Sequence, residues 1–290
     1  MFIKIMNKAS IMKNLLVSAV IPAYNEEEHV KECIETLLEQ SYKPFEIIFV
    51  DDGSTDNTVN IIKNYDVILF QQAHKGPGEA RNFGVSKCRG EIVVFVDADM
   101  RFDKDYIKNL VKPILEKKSI GTNHEEELVS NKENIWARCW GRRLTTFKGD
   151  FAIFRAIRKD KFLEAGGFDP KKGYADDQTI YEKLKIRPIL AEKAMCYHNN
   201  PNTLKDVFLQ GKWIGASYKN KFLNIYSLGI FFISGLSLLV PFKIALNTFK
   251  KSFEERYLSY LFYYPVFGIF RYYGFIYGII MNKYFKRNVK

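Results

Sequence analysis

Asp97 and Asp99 stand one residue apart at the end of the apolar run Ile92–Val96. Two carboxylates at alternating positions beyond a strand can converge on one hard divalent cation. Mg2+ or Mn2+ held in that way keeps positions free for a diphosphate and offsets the charge that builds as the diphosphate departs. The competing role for such a pair is plain capping of the strand end. Two other polar clusters have the same setting: PAYNEE (residues 22–27) follows the β-rich run Val17–Ile21, and DDGSTD (51–56) follows Phe45–Val50.

The elements between these clusters explain why they would meet. Val17–Ile21 reads as a strand ended by Pro22, and a helix follows over NEEEHVKECIETLLEQ. Val30, Cys33, Ile34, Leu37 and Leu38 fall on one face of it, and Asn25 with Glu28 resembles a capping box. Phe45–Val50 is apolar without alternation, as in a strand covered on both faces. Ser54 or Thr55 is the expected cap of the next helix, with Asp56 also helix-capping; Val67–Phe70 is a third strand, Pro77–Lys87 a helix opening after Gly76, and Ile92–Val96 a fourth strand. Strands alternating with helices predict right-handed crossovers and a mostly parallel α/β sheet. Ligands of such sheets bind beyond the carboxyl ends of the strands, so the three clusters read as one site. Residues 100–165 give no clear order of elements, and no internal repeat is visible.

Composition excludes several classes. With 290 residues, 47% hydrophobic and 27% charged, the chain is neither disordered nor collagen-like. Its four cysteines (Cys33, Cys88, Cys139, Cys196) form no C-x-x-C pair, which argues against a disulfide scaffold or zinc ribbon and suits a reducing compartment. Of the net charge of +11, +7 lies in residues 222–290: Lys243, Lys250, Lys251, Arg256, Arg271, Lys283, Lys286, Arg287 and Lys290 against Glu254 and Glu255. These cations flank apolar stretches instead of forming a polar face for nucleic acid, and they suit anionic lipid headgroups; the alternative is a solvated tail.

Phe222–Phe242 is 21 uncharged residues bounded by Lys221 and Lys243, the length that crosses about 30 Å of hydrocarbon. Tyr257–Asn282 is a second apolar segment, interrupted by Arg271. A transmembrane hairpin (222–242 and 257–282), two helices lying in the headgroup layer, and a buried helical subdomain all fit this pattern. Lys4, Lys8 and Lys13 break up the first residues, so no cleaved signal peptide is expected and the catalytic part is expected on the cytoplasmic side of the cell membrane. The expected organisation is an N-terminal extension (1–16), a catalytic α/β domain (17–215) and a hydrophobic, basic, membrane-associated helical segment (216–290).

The stretches VSAVIPAYNEEEHVKECIETLLEQSYKPFEIIFVDDGSTDNT and GEARNFGVSKCRGEIVVFVDADM resemble family 2 glycosyltransferases of the GT-A fold. The PAYNEE opening and the hydrophobic tail are also similar to dolichol-phosphate mannose synthases and their polyprenyl-phosphate relatives. The resemblance implies that Pro22, Ala23, Tyr24, Asn25 and Glu26 line a nucleotide pocket, with Tyr24 flanking the base. It implies base or ribose contacts for Asp51 and, preferentially, Asp52, since a carboxylate accepts from two hydroxyls. Arg81 would lie near the nucleotide, or in a surface ion pair with Glu79; Asp97 and Ala98 would also touch the donor. His198 would complete the metal shell of Asp97 and Asp99, or be structural.

Residues 175–179 align with the family's G-E-D-x-D pattern and make Asp177 the implied catalytic base, with Asp176 the contender and Thr179 standing where a second acid belongs. The two acids also suit a helix N-terminus. The implied reaction is inverting transfer from a UDP- or GDP-sugar, with Mn2+ or Mg2+, to a lipid-linked or polyprenyl-phosphate acceptor. A nucleotidyltransferase would want Gly, Arg or Lys in its opening loop, and Val17–Glu28 has none. A membrane-anchored protein that binds nucleotide-sugars without transfer is the other rival. Gln210-Gly211-Lys212-Trp213 is one residue short of the Q-x-x-R-W of processive synthases and implies no polymerisation.

Overall fold

The computed structural model of the chain describes residues 15–141, 143–144, 152–217, 244, 246–248, 250 and 258–285. In chain order the elements are β1 (Val17–Ala23), α1 (Val30–Leu38), β2 (Phe45–Asp51), α2 (Thr58–Ile62), β3 (Ile68–Gln71), α3 (Pro77–Lys87), β4 (Ile92–Phe95), β5 (Met100–Phe102) and α4 (Tyr106–Leu115). There follow β6 (Gly121–His124), β7 (Glu126–Val129), α5 (Ile135–Trp140), β8 (Arg143–Leu144), β9 (Ala156–Arg158), α6 (Lys159–Glu164), a 3-10 segment (Pro170–Gln178), α7 (Thr179–Leu184), β10 (Ile189–Ala191), β11 (Cys196–His198), α8 (Leu204–Ser217) and α9 (Tyr260–Phe285).

The chain divides into two compact units. The first (residues 1–130 and 142–199) holds a seven-stranded sheet in the order β10-β6-β9-β4-β1-β2-β3 and a smaller sheet β5-β11-β7-β8. The four expected strands β1–β4 are present and parallel, with β1 central between β2 and β4. Alternation along them sorts the core. Val17, Ala19, Ile21, Ile47, Phe49 and Val94 face α1 and α4, while Val20, Ile48, Val50, Val93 and Phe95 face α3, Phe162 and Phe168. The stretch that gave no order in sequence supplies β9, which runs antiparallel between β4 and β6. All four cysteines are free and buried.

Two expected caps are corrected. α1 begins at Val30, past the Asn25–Glu28 pair, and its cap residue His29 makes no side-chain cap bond. Asn25 sits at φ 56°, a left-handed conformation that Asn tolerates better than most residues, and so leaves the helix path. α2 opens after Asn57, so neither Ser54 nor Thr55 caps it.

The second unit comprises residues 131–141 and 200–290. Its described core is α5, α8 and α9, where Val207, Cys139, Tyr260 and Phe267 are buried together. α8 and α9 cross in backbone contact. A Cβ at Gly211 or Gly215 would run into the Arg271 or Phe275 carbonyl, and one at Gly274 or Gly278 into that of Phe208 or Lys212. Arg271 stacks its guanidinium 4.2 Å from the centre of the Trp140 ring.

No helix among the described residues is long and apolar enough to cross a membrane. The expected span 222–242 lies outside the described residues. The expected span 257–282 is realised as the 26-residue α9, but seven tyrosines, three glycines, Asn282 and two charges dilute its apolar character.

Candidate active site

The carboxyl ends of β1 and β2 end side by side, because Ala23 pairs with Asp51 in the parallel register and the Asp52 amide donates to the Ala23 carbonyl at 2.8 Å. The loops beyond them are laced together. The Asn25 amide donates to Ser54 Oγ, the Thr55 amide to Asn25 Oδ1, the Glu26 amide to Thr58 Oγ1 and the Glu27 amide to Asp56 Oδ2. Asp56 also accepts from the Thr58 amide at the start of α2, as expected of a helix-capping acid. Pro22 and Ala23 thus form the floor of this rim as the last residues of β1.

Tyr24 is 40% exposed and stacks on His74, ring centres 4.0 Å apart and planes 23° from parallel. His74 is fixed by Asp52, whose Oδ2 lies 2.8 Å from its Nδ1. Asp52 also accepts from Gln72 Nε2 and from the Lys75 and Gly76 amides. Its carboxylate therefore ties the β3–α3 loop to the end of β2. Asp51 is as deeply buried but more lightly engaged, accepting from the Ser54 amide at 3.2 Å and from Gln71 Nε2 at 3.4 Å.

Beyond β4, both oxygens of Asp97 meet guanidinium groups: Oδ1 accepts from Arg81 Nη2 at 2.6 Å, and Oδ2 from Arg155 Nη1 at 3.1 Å. Burial disfavours the Asp97 carboxylate, but Arg155 and Arg81 outweigh it and hold the group well below the usual carboxylate range. Arg81 is buried, which removes the surface pair with Glu79; its second arm reaches Asp176 Oδ1 at 3.3 Å. Ala98 packs into the core.

Asp99 has a buried Oδ1 with no hydrogen-bond partner, and its Oδ2 lies 3.4 Å from His198 Nε2. Strand pairing explains the meeting: β5 follows Asp99 directly, and β11 pairs antiparallel with it, placing His198 opposite Met100. His198 Nδ1 stands 2.8 Å from the Asn199 carbonyl, which places the proton on Nδ1 and leaves Nε2 as an acceptor in the neutral ring. Burial, then the charges of Asp99 and Asp97, raise the Glu26 carboxyl well above its ordinary value.

Among the described residues no three His, Cys, Asp or Glu side chains are drawn together as a metal group. The reason is that Asp97 is turned onto two arginines. Asp99 and His198 keep a donor set that suits a divalent cation, an unpartnered buried carboxylate oxygen beside an imidazole acceptor.

Asp176 and Asp177 lie near the end of the 3-10 segment, just before Gln178, and its start is capped by the Asp169 side chain accepting from the Lys171 amide. Asp176 is buried against Arg81, and burial followed by the charge of Asp176 pushes Asp177 up to about 7. Thr179 accepts from the Asp169 amide, a structural bond in place of a second acid. Arg81 thus joins the Asp97 side of the site to the Asp176–Asp177 side. Sequence reasoning missed His74 and Arg155. The signal for Arg155 was a lone arginine inside the apolar run of residues 151–157.

The family model for glycosyl transferase family 2 matches residues 18–165. Glycosyltransferase GlyG of Streptococcus pneumoniae is 37% identical over 108 residues, 35% of this chain and 36% of that protein. Chondroitin synthase of Escherichia coli is 28% identical over 220 residues, 70% of this chain and 32% of that one. The chain spans less than half the length of these curated relatives. Among solved structures, the mannosyltransferase PcManGT of Pyrobaculum calidifontis, in complex with GDP-Man and Mn2+, superposes with a TM-score of 0.60 at 20% identity, over 94% of this chain and 88% of that chain. S. aureus TarS in complex with UDP-GlcNAc gives 0.55 at 22% identity, over 69% and 66%. At these identities the likeness is one of fold: the mixed α/β, GT-A-like arrangement of a mostly parallel sheet flanked by helices.

Proposed function

The chain belongs to family 2 of the glycosyl transferases, and from that premise we propose that it moves a sugar from a nucleoside-diphosphate sugar to an acceptor hydroxyl with inversion at the anomeric carbon. The observation that carries the reading is Asp177, a carboxyl pushed up to about 7 by burial and by Asp176, set across Arg81 from the Asp97–Asp99 rim. A base with that affinity for protons is half ionised at neutral pH and strong enough to accept the acceptor's proton.

In the step, Asp177 takes the hydroxyl proton while the acceptor oxygen forms its bond to the anomeric carbon. The bond from that carbon to the diphosphate oxygen breaks, and the electron pair leaves with the nucleoside diphosphate. The transition state is oxocarbenium-like, as in inverting hydrolysis of glycosides. Arg81 and Arg155 keep the Asp97 carboxylate ionised and oriented, and Tyr24 on its His74 support offers a flat surface to the base. Asp51 accepts from the ribose, since Asp52 is engaged in holding the β3–α3 loop. Mg2+ or Mn2+ bound by Asp99 and His198, with Asp97 beside them, would supply positive charge for the departing diphosphate.

The acceptor in this reading is lipid-linked, and the second unit rests on the cytosolic membrane surface. Supporting it are the +7 charge of residues 222–290 and the outward Phe262, Val266, Tyr273 and Tyr277 of α9. With a polyprenyl phosphate as acceptor no proton need leave, and Asp177 would orient the phosphate. The test is Asp177→Asn, assayed with UDP- and GDP-sugars on lipid extract: turnover is lost while nucleotide binding stays. Turnover equal to the unmodified protein would reject the role.

A further inference from the structure

We propose that Arg155 is a positioning residue of the donor site, fixing the Asp97 carboxylate through a buried chain of side chains anchored on His124 and Tyr106. The inference rests on the donor reading above and deepens it.

The backbone places Arg155 where this can happen. It lies immediately before β9, its carbonyl accepting from the Phe95 amide and its amide donating to the Thr122 carbonyl. Arg155 is therefore clamped between β4, which leads to Asp97, and β6, which carries His124. One guanidinium nitrogen donates to Asp97 Oδ2 at 3.1 Å and the other to Glu127 Oε1 at 2.8 Å. The same Glu127 oxygen is 3.1 Å from His124 Nε2, and His124 Nδ1 is 3.0 Å from the Tyr106 hydroxyl. These partners assign the tautomer: Nε2–H donates to Glu127 and Nδ1 accepts from Tyr106. Glu127, His124 and Tyr106 are all buried, so the chain is anchored away from solvent.

Arg81 already pairs with Asp97 at the shorter distance of 2.6 Å, so Arg155 is a second cation on the same carboxylate and its charge is not its whole part. What Arg155 adds is orientation. The terminal torsion of an aspartate is broad and roughly two-fold, so one partner leaves the carboxylate free to turn. Two guanidinium groups, one from α3 and one from the edge of β9, hold both oxygens at once. Each oxygen keeps a second lone pair, which remains for the donor side of the site. Residues standing behind a metal or diphosphate ligand act in this way, and their loss costs about 10–100-fold in affinity or activity.

The experiment measures binding by the full-length chain of UDP, GDP and the corresponding nucleosides in the presence of Mn2+. Arg155→Gln is expected to weaken the diphosphate by about 10–100-fold and to leave the nucleoside unchanged. Arg155→Lys, a point charge that satisfies one oxygen, falls between. Because Arg155→Gln strands a buried carboxylate on Glu127 and lowers stability, the double variant Arg155→Gln with Glu127→Gln is measured alongside. It is expected to regain the thermal midpoint and not the diphosphate affinity. Recovery of both in the double variant, or equal loss of nucleoside and diphosphate in the single one, assigns Arg155 to stability and overturns the proposal. An unmodified chain that binds neither diphosphate overturns the donor reading itself, and the role of Arg155 with it.

Discussion

Gly78 lies so close to Asp176 that a Cβ on the glycine would stand 2.5 Å from Asp176 Oδ2. The first turn of α3 is thus shaped around the carboxylate that pairs with Arg81 and raises Asp177. Gly78→Ala is expected to push Asp176 aside, loosen its hold on Arg81 and lower turnover about tenfold or more, in the range of a displaced acid–base pair. Circular dichroism should report an unchanged fold, and the kinetic loss should appear in kcat more than in KM.

Asp177 carries a pH prediction with a definite sign. Its folded-state value of about 7 lies above the 3.8 of an ordinary aspartate, so the rate is expected to fall tenfold per unit as pH drops below about 7. Stability runs the other way. Between those two values the folded state holds a proton that the unfolded chain has released, so Asp177 destabilises the fold as pH rises. Asp177→Asn is expected to raise the melting temperature at pH 8 and to change it little at pH 4, by calorimetry across that range.

Tyr24 and His74 make a third prediction. Tyr24→Ala removes the exposed ring and is expected to weaken the nucleotide by about 1–3 kcal/mol, the usual worth of a base stacked on an aromatic side chain. His74→Ala leaves the ring in place without its support and should cost less. Isothermal titration with UDP and GDP ranks the two; equal affinity in all three proteins would move the base elsewhere.

Chelation tests the Asp99–His198 pair. EDTA is expected to weaken diphosphate binding, Mn2+ to restore it, and His198→Ala to raise the Mn2+ concentration needed for half-restoration by about 10–100-fold.

The meeting of the acidic clusters at one rim was legible because β1, β2 and β4 are unbroken apolar runs whose ends carry the acids, and a parallel sheet brings such ends together. Asp177 was singled out by the likeness of residues 175–179 to the family's G-E-D-x-D pattern. The misplaced caps share one cause: Asn25 adopts a left-handed backbone instead of capping a helix, and its side chain serves a loop thirty residues away. Asp52 likewise carries the right chemistry for a ribose but meets four donors of its own chain, a competition set by the path of the β3–α3 loop. Arg155 was hidden because β9 is only three residues long and joins the sheet against its general direction.

The glycines of α8 and α9 give a last prediction. Gly211 and Gly215 on one helix, and Gly274 and Gly278 on the other, repeat the four-residue spacing that lets helix backbones touch. Gly215→Val is expected to part the two helices and to make the second unit sensitive to protease, while UDP binding by the first unit persists.

The late arrival of β9 has a consequence during synthesis. Until residue 155 emerges, β4 has β1 on one side and nothing on the other, although β4 is fully buried in the finished sheet. A polypeptide halted after β7 presents that open, apolar ladder of amides and carbonyls to its neighbours, the kind of border along which chains join into aggregates. Shortened versions of this protein intended for overproduction should therefore retain the chain through Arg158.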